Sequence, residues 1–550
     1  TGGEDPTSRV DVTPDGTELG LQRDRAGEEN PGLYLQSSKG GPLRVIKHEP
    51  KVQTQAQLVT DDGKYLYFRA NDKKPDSYAL YRYAFATKQI ETVLEQDGLW
   101  SIAGRLDGPQ RLLLVRAVGS NQNEIFELDE TSHALTPLFG QGEREDYQVA
   151  YGAVDDVLVL TPKLSEYRRL YRFDRKLRAL SAISPELRWD VDSFAVSRDK
   201  RNIFVHVNEA GRTLSRLFDA RSLKEIGLPL LPPGDHVYLS PAGRAKGKAV
   251  LVVDPGTTPS SSAVLDLATK KLTTWHVPSA PEVDLGSFVS VSVEEYPARD
   301  GAHIPMLVRR PASCAKAATP CPVIVDFHGG PEGQAKAGFN PRAQLFVDAG
   351  FIYVQPNVRG SDGYGKSWIH ADDGASRKQV ITDIEDVAKH LRSAWAKGGK
   401  APKIGIFGGS YGGYSALMGM TYFAGTYDAG VEVVGISSLV TFLENTAPYR
   451  RALRVSEYGD PVADRAVLTD LSPITHVGKT VGPMLLIQGA TDPRVPVGEA
   501  IQMFDALQNK KLPSQLIVFP DEGHGVQKRV NQLLLLGHSL AFFERHLQAP

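Results

Sequence analysis

The stretch Lys403-Ile-Gly-Ile-Phe-Gly-Gly-Ser-Tyr-Gly-Gly-Tyr-Ser-Ala-Leu-Met-Gly419 changes character halfway along. Its opening residues form a short apolar run of the kind that fills a buried strand, and the residues after Gly412 follow a helical pattern. Between them lies Gly408-Gly-Ser-Tyr-Gly412. Glycines two before and two after Ser410 permit a sharp strand-to-helix turn that holds one hydroxyl out of the chain, near the positive end of the helix. A bare Gly-x-Ser-x-Gly is common by chance; its position between strand and helix carries the reading.

Outward from this turn, strands and helices alternate. Val323 to Phe327, Phe351 to Gln355, Met484 to Gln488 and Gln515 to Phe519 read as buried strands, and Pro341 to Ala349 as a helix. Thr382 and Glu385 have the spacing of a capping box, ahead of a helix with Ile384, Val387, Leu391 and Trp395 on one face. Such alternation predicts a largely parallel sheet covered by helices on both faces, with reactive groups at the carboxyl ends of its strands.

A serine hydroxyl needs a base to become a nucleophile. In an α/β-hydrolase the chain order is nucleophile, acid, base. The Met484 strand ends in Gly489-Ala-Thr-Asp492, and the Gln515 strand ends in Pro-Asp-Glu-Gly-His524. Asp492 is therefore read as the acid and His524 as the base. Asp521 and Glu522 compete for the acid's role, but they lie so near His524 that the loop would have to bend sharply. His538 and His546 fall within or at the end of a helix. An oxyanion hole needs two N–H donors: that of Tyr411, and that of Gly330 in His328-Gly-Gly-Pro331, where glycine lets the main chain approach a substrate. His328 is read as a brace for this loop. Residues 286–550 are thus expected to be an α/β-hydrolase catalytic domain.

The first half has a different rhythm. A turn recurs as Asp15-Gly16, Asp62-Gly63, Asp107-Gly108, Asp155-Asp156, Asp199-Lys200 and Ala242-Gly243. In phase with it, an aliphatic–aromatic pair recurs as Leu33-Tyr34, Leu80-Tyr81, Ile125-Phe126, Leu170-Tyr171 and Leu217-Phe218. A period of roughly 40–50 residues with about four strands in each unit predicts a β-propeller over 1–285, with six blades readable and room for a seventh upstream of Thr1. Pro278 to Leu285 is the expected seam. Beyond it Val289 to Tyr296 and Ile304 to Val308 read as a strand pair.

The totals fit this division. A chain of 550 residues is too long for one core. Sixty-three basic against 65 acidic residues give no electrostatic case for nucleic acid or an anionic membrane. No apolar run reaches the length of a membrane span. The two cysteines, Cys314 and Cys321, flank a small polar loop and are read as a disulfide, which argues for a periplasmic or secreted protein over a cytoplasmic one; the start at Thr1 without methionine points the same way. No metal or organic cofactor is expected, and the chain is compatible with a homo-oligomer.

Together these motifs resemble the prolyl oligopeptidase family of serine peptidases, in its acylaminoacyl-peptidase and dipeptidyl-peptidase-like branch. The likeness rests on His328 to Pro331, Asn357-Val-Arg-Gly-Ser361 with Gly363-Tyr-Gly365, Gly408 to Gly413, Gly489 to Pro496, and Gly523-His-Gly525. It implies a peptidase cleaving short peptides behind a propeller that limits access by size. Family propellers have seven or eight blades, so six is a departure. The alternatives are an esterase or amidase using the same triad and, more remotely, a non-catalytic propeller scaffold. Arg450 and Arg451, between nucleophile and acid, are candidates to contact a substrate carbonyl or carboxylate. Glu28-Glu29 reads as a hairpin turn on a blade edge and is given no substrate role.

Overall fold

The computed structural model describes residues 5–25, 27–153 and 156–548. The first part holds six four-stranded antiparallel sheets, spanning residues 7–47, 54–94, 99–139, 148–182, 191–226 and 236–276; a parallel pair, Tyr78 with Leu99, links the second to the third, and another, Thr213 with His236, links the fifth to the sixth. The recurring turn joins the first and second strands of each sheet. Its chemistry repeats: Thr13, Thr60 and Ser197 each donate a hydroxyl hydrogen bond to the Asp two residues on, at 2.6, 2.6 and 2.7 Å. These links bend the chain where Gly16, Gly63 and Lys200 take positive φ, and Gly243 takes it at the sixth turn without such a link. Asp155 lies outside the described residues. The aliphatic marker sits on the third strand, where Leu33, Leu80, Ile125, Leu170 and Leu217 are buried between neighbouring sheets. Arg198 of the fifth sheet reaches back to Asp11 of the first at 2.8 Å and to Asp61 beside the second at 2.7 Å.

A 3-10 turn at Leu285–Ser287 leads into the second part. Its sheet comprises β1 (Ser292–Pro297), β2 (His303–Arg309), β3 (Val323–Phe327), β4 (Ile352–Pro356), β5 (Ile404–Gly409), β6 (Ala429–Val433), β7 (Met484–Gly489) and β8 (Ser514–Phe519). The spatial order is β1-β2-β4-β3-β5-β6-β7-β8, parallel from β4 to β8 and antiparallel at β1-β2-β4. Helices cover both faces, which is why the central strands read as unbroken apolar runs. On one face α2 (Asp383–Ala394) and α3 (Tyr411–Met420) pack over Val323, Val325 and Phe327. On the other, α1 (Pro341–Asp348) brings Phe346, and the helix Arg529–Phe543 brings Phe543, against Ile324 and Phe407.

Two readings are corrected. β1 starts at Ser292, not Val289. Thr382 forms no capping box: it has helical φ and ψ, and its hydroxyl donates to the Gln379 carbonyl at 3.0 Å. The physical reason is the helical turn Arg377–Val380 just ahead, which leaves no extended residue from which a side chain could fold back onto the helix start. Cys314 and Cys321 are disulfide-bonded, tying the short helix Ala312–Lys316 to the entry of β3.

Candidate functional site

Ser410 follows the last residue of β5 and has φ 59°, ψ −118°. Positive φ on a non-glycine residue costs on the order of 1–3 kcal/mol and persists only where the surroundings over-determine it. Here the Ser410 N–H donates to the Val433 carbonyl of the neighbouring strand at 2.9 Å, and its own carbonyl receives Tyr414 N–H at 2.9 Å. The glycines are steric requirements. A Cβ on Gly408 would stand 2.2 Å from the Gly412 carbonyl oxygen, one on Gly412 1.9 Å from that of Phe327, and one on Gly413 2.7 Å from Gly435 Cα.

The loop after β7 carries Asp492 and the loop after β8 carries His524. His524 Nδ1 and Asp492 Oδ2 are 2.8 Å apart. The other oxygen of Asp492 accepts the N–H groups of Arg494 and Val495 at 2.8 and 3.0 Å, and Gln488 Nε2 approaches Oδ2 at 3.3 Å. The carboxylate is thus buried, satisfied and fixed in direction, and its imidazole partner is left with Nε2 free of this pair. The competing carboxylates are engaged elsewhere. Asp521 pairs with Lys528, and Glu522 accepts the backbone N–H groups of Gln527 and Lys528. His538 lies within the Arg529–Phe543 helix, and His546 packs on Phe542.

Ser410 and His524 line one cavity of about 200 Å³. Ile436, Phe442, Tyr458 and Val495 give it an apolar wall, and Glu332, Arg450, Arg454 and Arg494 a charged one. The loop after β3 rests against the serine: a Cβ on Gly329 would lie 3.3 Å from Ser410 Cβ. Gly330, at φ 141°, also borders the cavity. Arg454 holds this loop, donating to the Gly330 carbonyl at 3.2 Å and pairing with Glu332 at 3.5 Å. His328 is held between the Gly329 carbonyl and Ser361 Oγ, at 2.9 and 2.8 Å, and desolvation lowers its pKa. It braces the loop and does not line the cavity.

Tyr411, whose N–H follows the serine, is anchored by its side chain. Its hydroxyl donates to Asp372 at 3.1 Å, and Arg377, buried between the Tyr411 and Tyr458 rings, binds Asp372 at 3.1 Å and Glu457 at 2.7 Å. Burial pushes the Asp372 pKa up to about 6, against the pull of Arg377. Asp372, Asp373 and Glu457 bring three carboxylates close enough to hold a cation, but the Arg377 guanidinium already fills that role.

The two arginines proposed from sequence part company. Arg450 lines the cavity, whereas Arg451 is turned away and donates to the Glu444 carbonyl. Both belong to α4 (Pro448–Tyr458), whose i, i+4, i+8 positions Arg450, Arg454 and Tyr458 all face the cavity. That spacing was the available signal for Arg454 and Tyr458. The Glu28-Glu29 reading also changes. The hairpin is not a free blade edge: Gly27 sits against the backbone of Gly523, and Glu29 pairs with Arg494 at 2.7 Å. A contact between residues so far apart in the chain leaves no local trace in sequence.

Gly330, Ser410, Asp492 and His524 all follow the carboxyl ends of strands in one sheet, the edge on which open α/β folds carry their chemistry; the chain is an α/β-hydrolase with a β-propeller ahead of it in sequence. Residues 337–550 match the sequence model of the prolyl oligopeptidase family. The chain is 34% identical over 237 residues to dipeptidyl peptidase family member 6 of Caenorhabditis elegans, a stretch that spans 42% of this chain and 32% of that protein. It is 35% identical over 224 residues to dipeptidyl aminopeptidase BIII of Pseudoxanthomonas mexicana, spanning 39% of this chain and again 32% of the relative. In three dimensions a structure from a study of two prolyl endopeptidases superposes with a TM-score of 0.87 at 20% identity, over 99% of this chain and 82% of the other. That likeness speaks for the fold. Among the described residues no helix is long and apolar enough to cross a membrane.

Proposed function

We propose that the chain is a serine peptidase that hydrolyses short peptides. Ser410 Oγ attacks the scissile carbonyl while His524 Nε2 takes its proton, and Asp492 fixes the imidazole through Nδ1. The N–H groups of Tyr411 and Gly330 receive the oxyanion. His524 then passes the proton to the leaving amine, and water repeats the cycle on the acyl-enzyme. The observation that carries this reading is the 2.8 Å His524–Asp492 bond, with His524 and a strained Ser410 bordering the same cavity. The peptide substrate is taken from the relatives named as dipeptidyl peptidases. In this reading residues 1–285 act as a propeller that restricts entry and 286–550 as the catalytic domain. The bonded cysteines support a periplasmic or secreted location.

The test is a panel of free-amine dipeptides, N-acylated peptides, long peptides and simple esters, run with wild type and Ser410→Ala. Loss of about 10⁵–10⁶ in kcat is expected for the variant. Turnover of esters alone would overturn the peptidase reading, and undiminished activity in Ser410→Ala would overturn the mechanism.

A further inference from the structure

Three guanidinium groups face the cavity, and two of them are neutralised by the protein. Arg454 pairs with Glu332 at 3.5 Å, and Arg494 pairs with Glu29 at 2.7 Å. Arg450 stands between them without either kind of support. Among the described residues its guanidinium has no carboxylate within ion-pair distance and no hydrogen-bond acceptor. Yet its surroundings are largely dry: burial, with Arg454 and Arg494 close by, lowers its pKa from the ordinary arginine value. An arginine nonetheless stays protonated. A desolvated cation without a counter-ion is unfavourable, and such a group in a cleft is matched by charge that arrives with a ligand.

The propeller side adds to the imbalance. Arg69 is half-buried and, among the described residues, bonded to neutral acceptors, Gln55 Oε1 at 2.6–2.9 Å and the Trp100 carbonyl at 3.3 Å. It lies over the Tyr78 ring at 4.3 Å, and that ring is 6.3 Å from the ring of Tyr449, the residue next to Arg450. Arg69 thus adds a second guanidinium without a carboxylate partner on the propeller side of Tyr449, in a chain whose net charge is −2.

We propose that Arg450 is the docking point for a carboxylate of the substrate, so that the site prefers peptides carrying an acidic group close to the scissile bond. The inference rests on the peptidase reading for its substrate class, but the binding event can be measured separately. The carboxylate has two chemical sources, an acidic side chain and a free peptide C-terminus.

The full chain is labelled at Ser410 with a neutral fluorophosphonate, and dipeptides are added as protectants in pairs that differ only in charge. One pair is glutamyl against glutaminyl; the other is free C-terminal acid against amide. The acidic member of at least one pair is expected to protect at about tenfold lower concentration or less, and the pair concerned identifies the source. Arg450→Met, checked by thermal melting, should erase the difference, and Arg450→Lys should keep part of it. Equal protection within both pairs in wild type would overturn the proposal, as would a difference that survives in Arg450→Met. If Arg450→Met does not fold, the Arg450→Lys comparison decides: the acid–amide difference must shrink there, and an unchanged difference refutes the proposal. A chain that labels at Ser410 yet cleaves no peptide would fail the peptidase reading and still report on the carboxylate.

Discussion

Replacing Glu432 by Gln should flatten the pH dependence of stability. Glu432 lies on β6, fully buried; its Oε2 accepts Gly435 N–H at 2.7 Å, and its Oε1 has no hydrogen-bond partner. Burial pushes its pKa from 4.5 up to about 8, with Glu499 adding in the same direction. The folded protein therefore binds a proton that the unfolded chain releases near pH 4.5. The stability this supplies is complete below the unfolded pKa and is lost as pH rises through the folded one. At about 1.4 kcal/mol per pH unit, the loss between pH 4.5 and 8 totals on the order of 4–5 kcal/mol. For a domain of this size that is on the order of 10 °C in Tm. Gln cannot ionise, so the Tm of Glu432→Gln should lose this component and rise relative to wild type between pH 5 and 8. Melting both proteins at half-unit pH steps measures it. Parallel curves would refute the argument. Activity should follow, because Gly435, held by Glu432, packs against Gly413 directly behind the serine turn.

Asp492→Asn should keep the fold, since an amide oxygen still accepts the Arg494 and Val495 N–H groups, but kcat should fall by about 10⁴ as the imidazole loses its carboxylate; peptide turnover by purified variant against wild type checks this. The Cys314–Cys321 bond closes a loop of sequence separation 7, for which chain entropy gives about 2.5 kcal/mol. Melting with and without reductant should show a matching drop in Tm, absent in the Cys314→Ser/Cys321→Ser double variant.

The parts of this molecule that were legible in sequence are those with a fixed local rhythm. The blade turns announce themselves because each needs an oxygen acceptor or a residue tolerant of positive φ at one place per repeat. Ser410 and Asp492 stand out because each follows a buried apolar strand within a few residues, and His524 because it follows the apolar Gln515–Phe519 run, which the fold places as a half-exposed edge strand and not as a buried one. β6 was missed because Glu432 interrupts its apolar run and leaves only Ala-Gly-Val before it. Thr382 misled because a capping pattern says nothing about whether the chain ahead of it is already helical. Arg454 with Glu332, and Arg494 with Glu29, are pairings between separate loops, fixed by packing alone.

The seating of Gly27 on Gly523 has a bearing on how the chain is made. On the ribosome the first blade emerges early, and the serine turn follows much later. The histidine loop follows Ser410 on the order of ten seconds later. Until then the Gly27 hairpin has nothing to settle on. The contact between Gly27 and Gly523 thus joins a propeller hairpin to the loop that carries His524, two segments made at widely separated times.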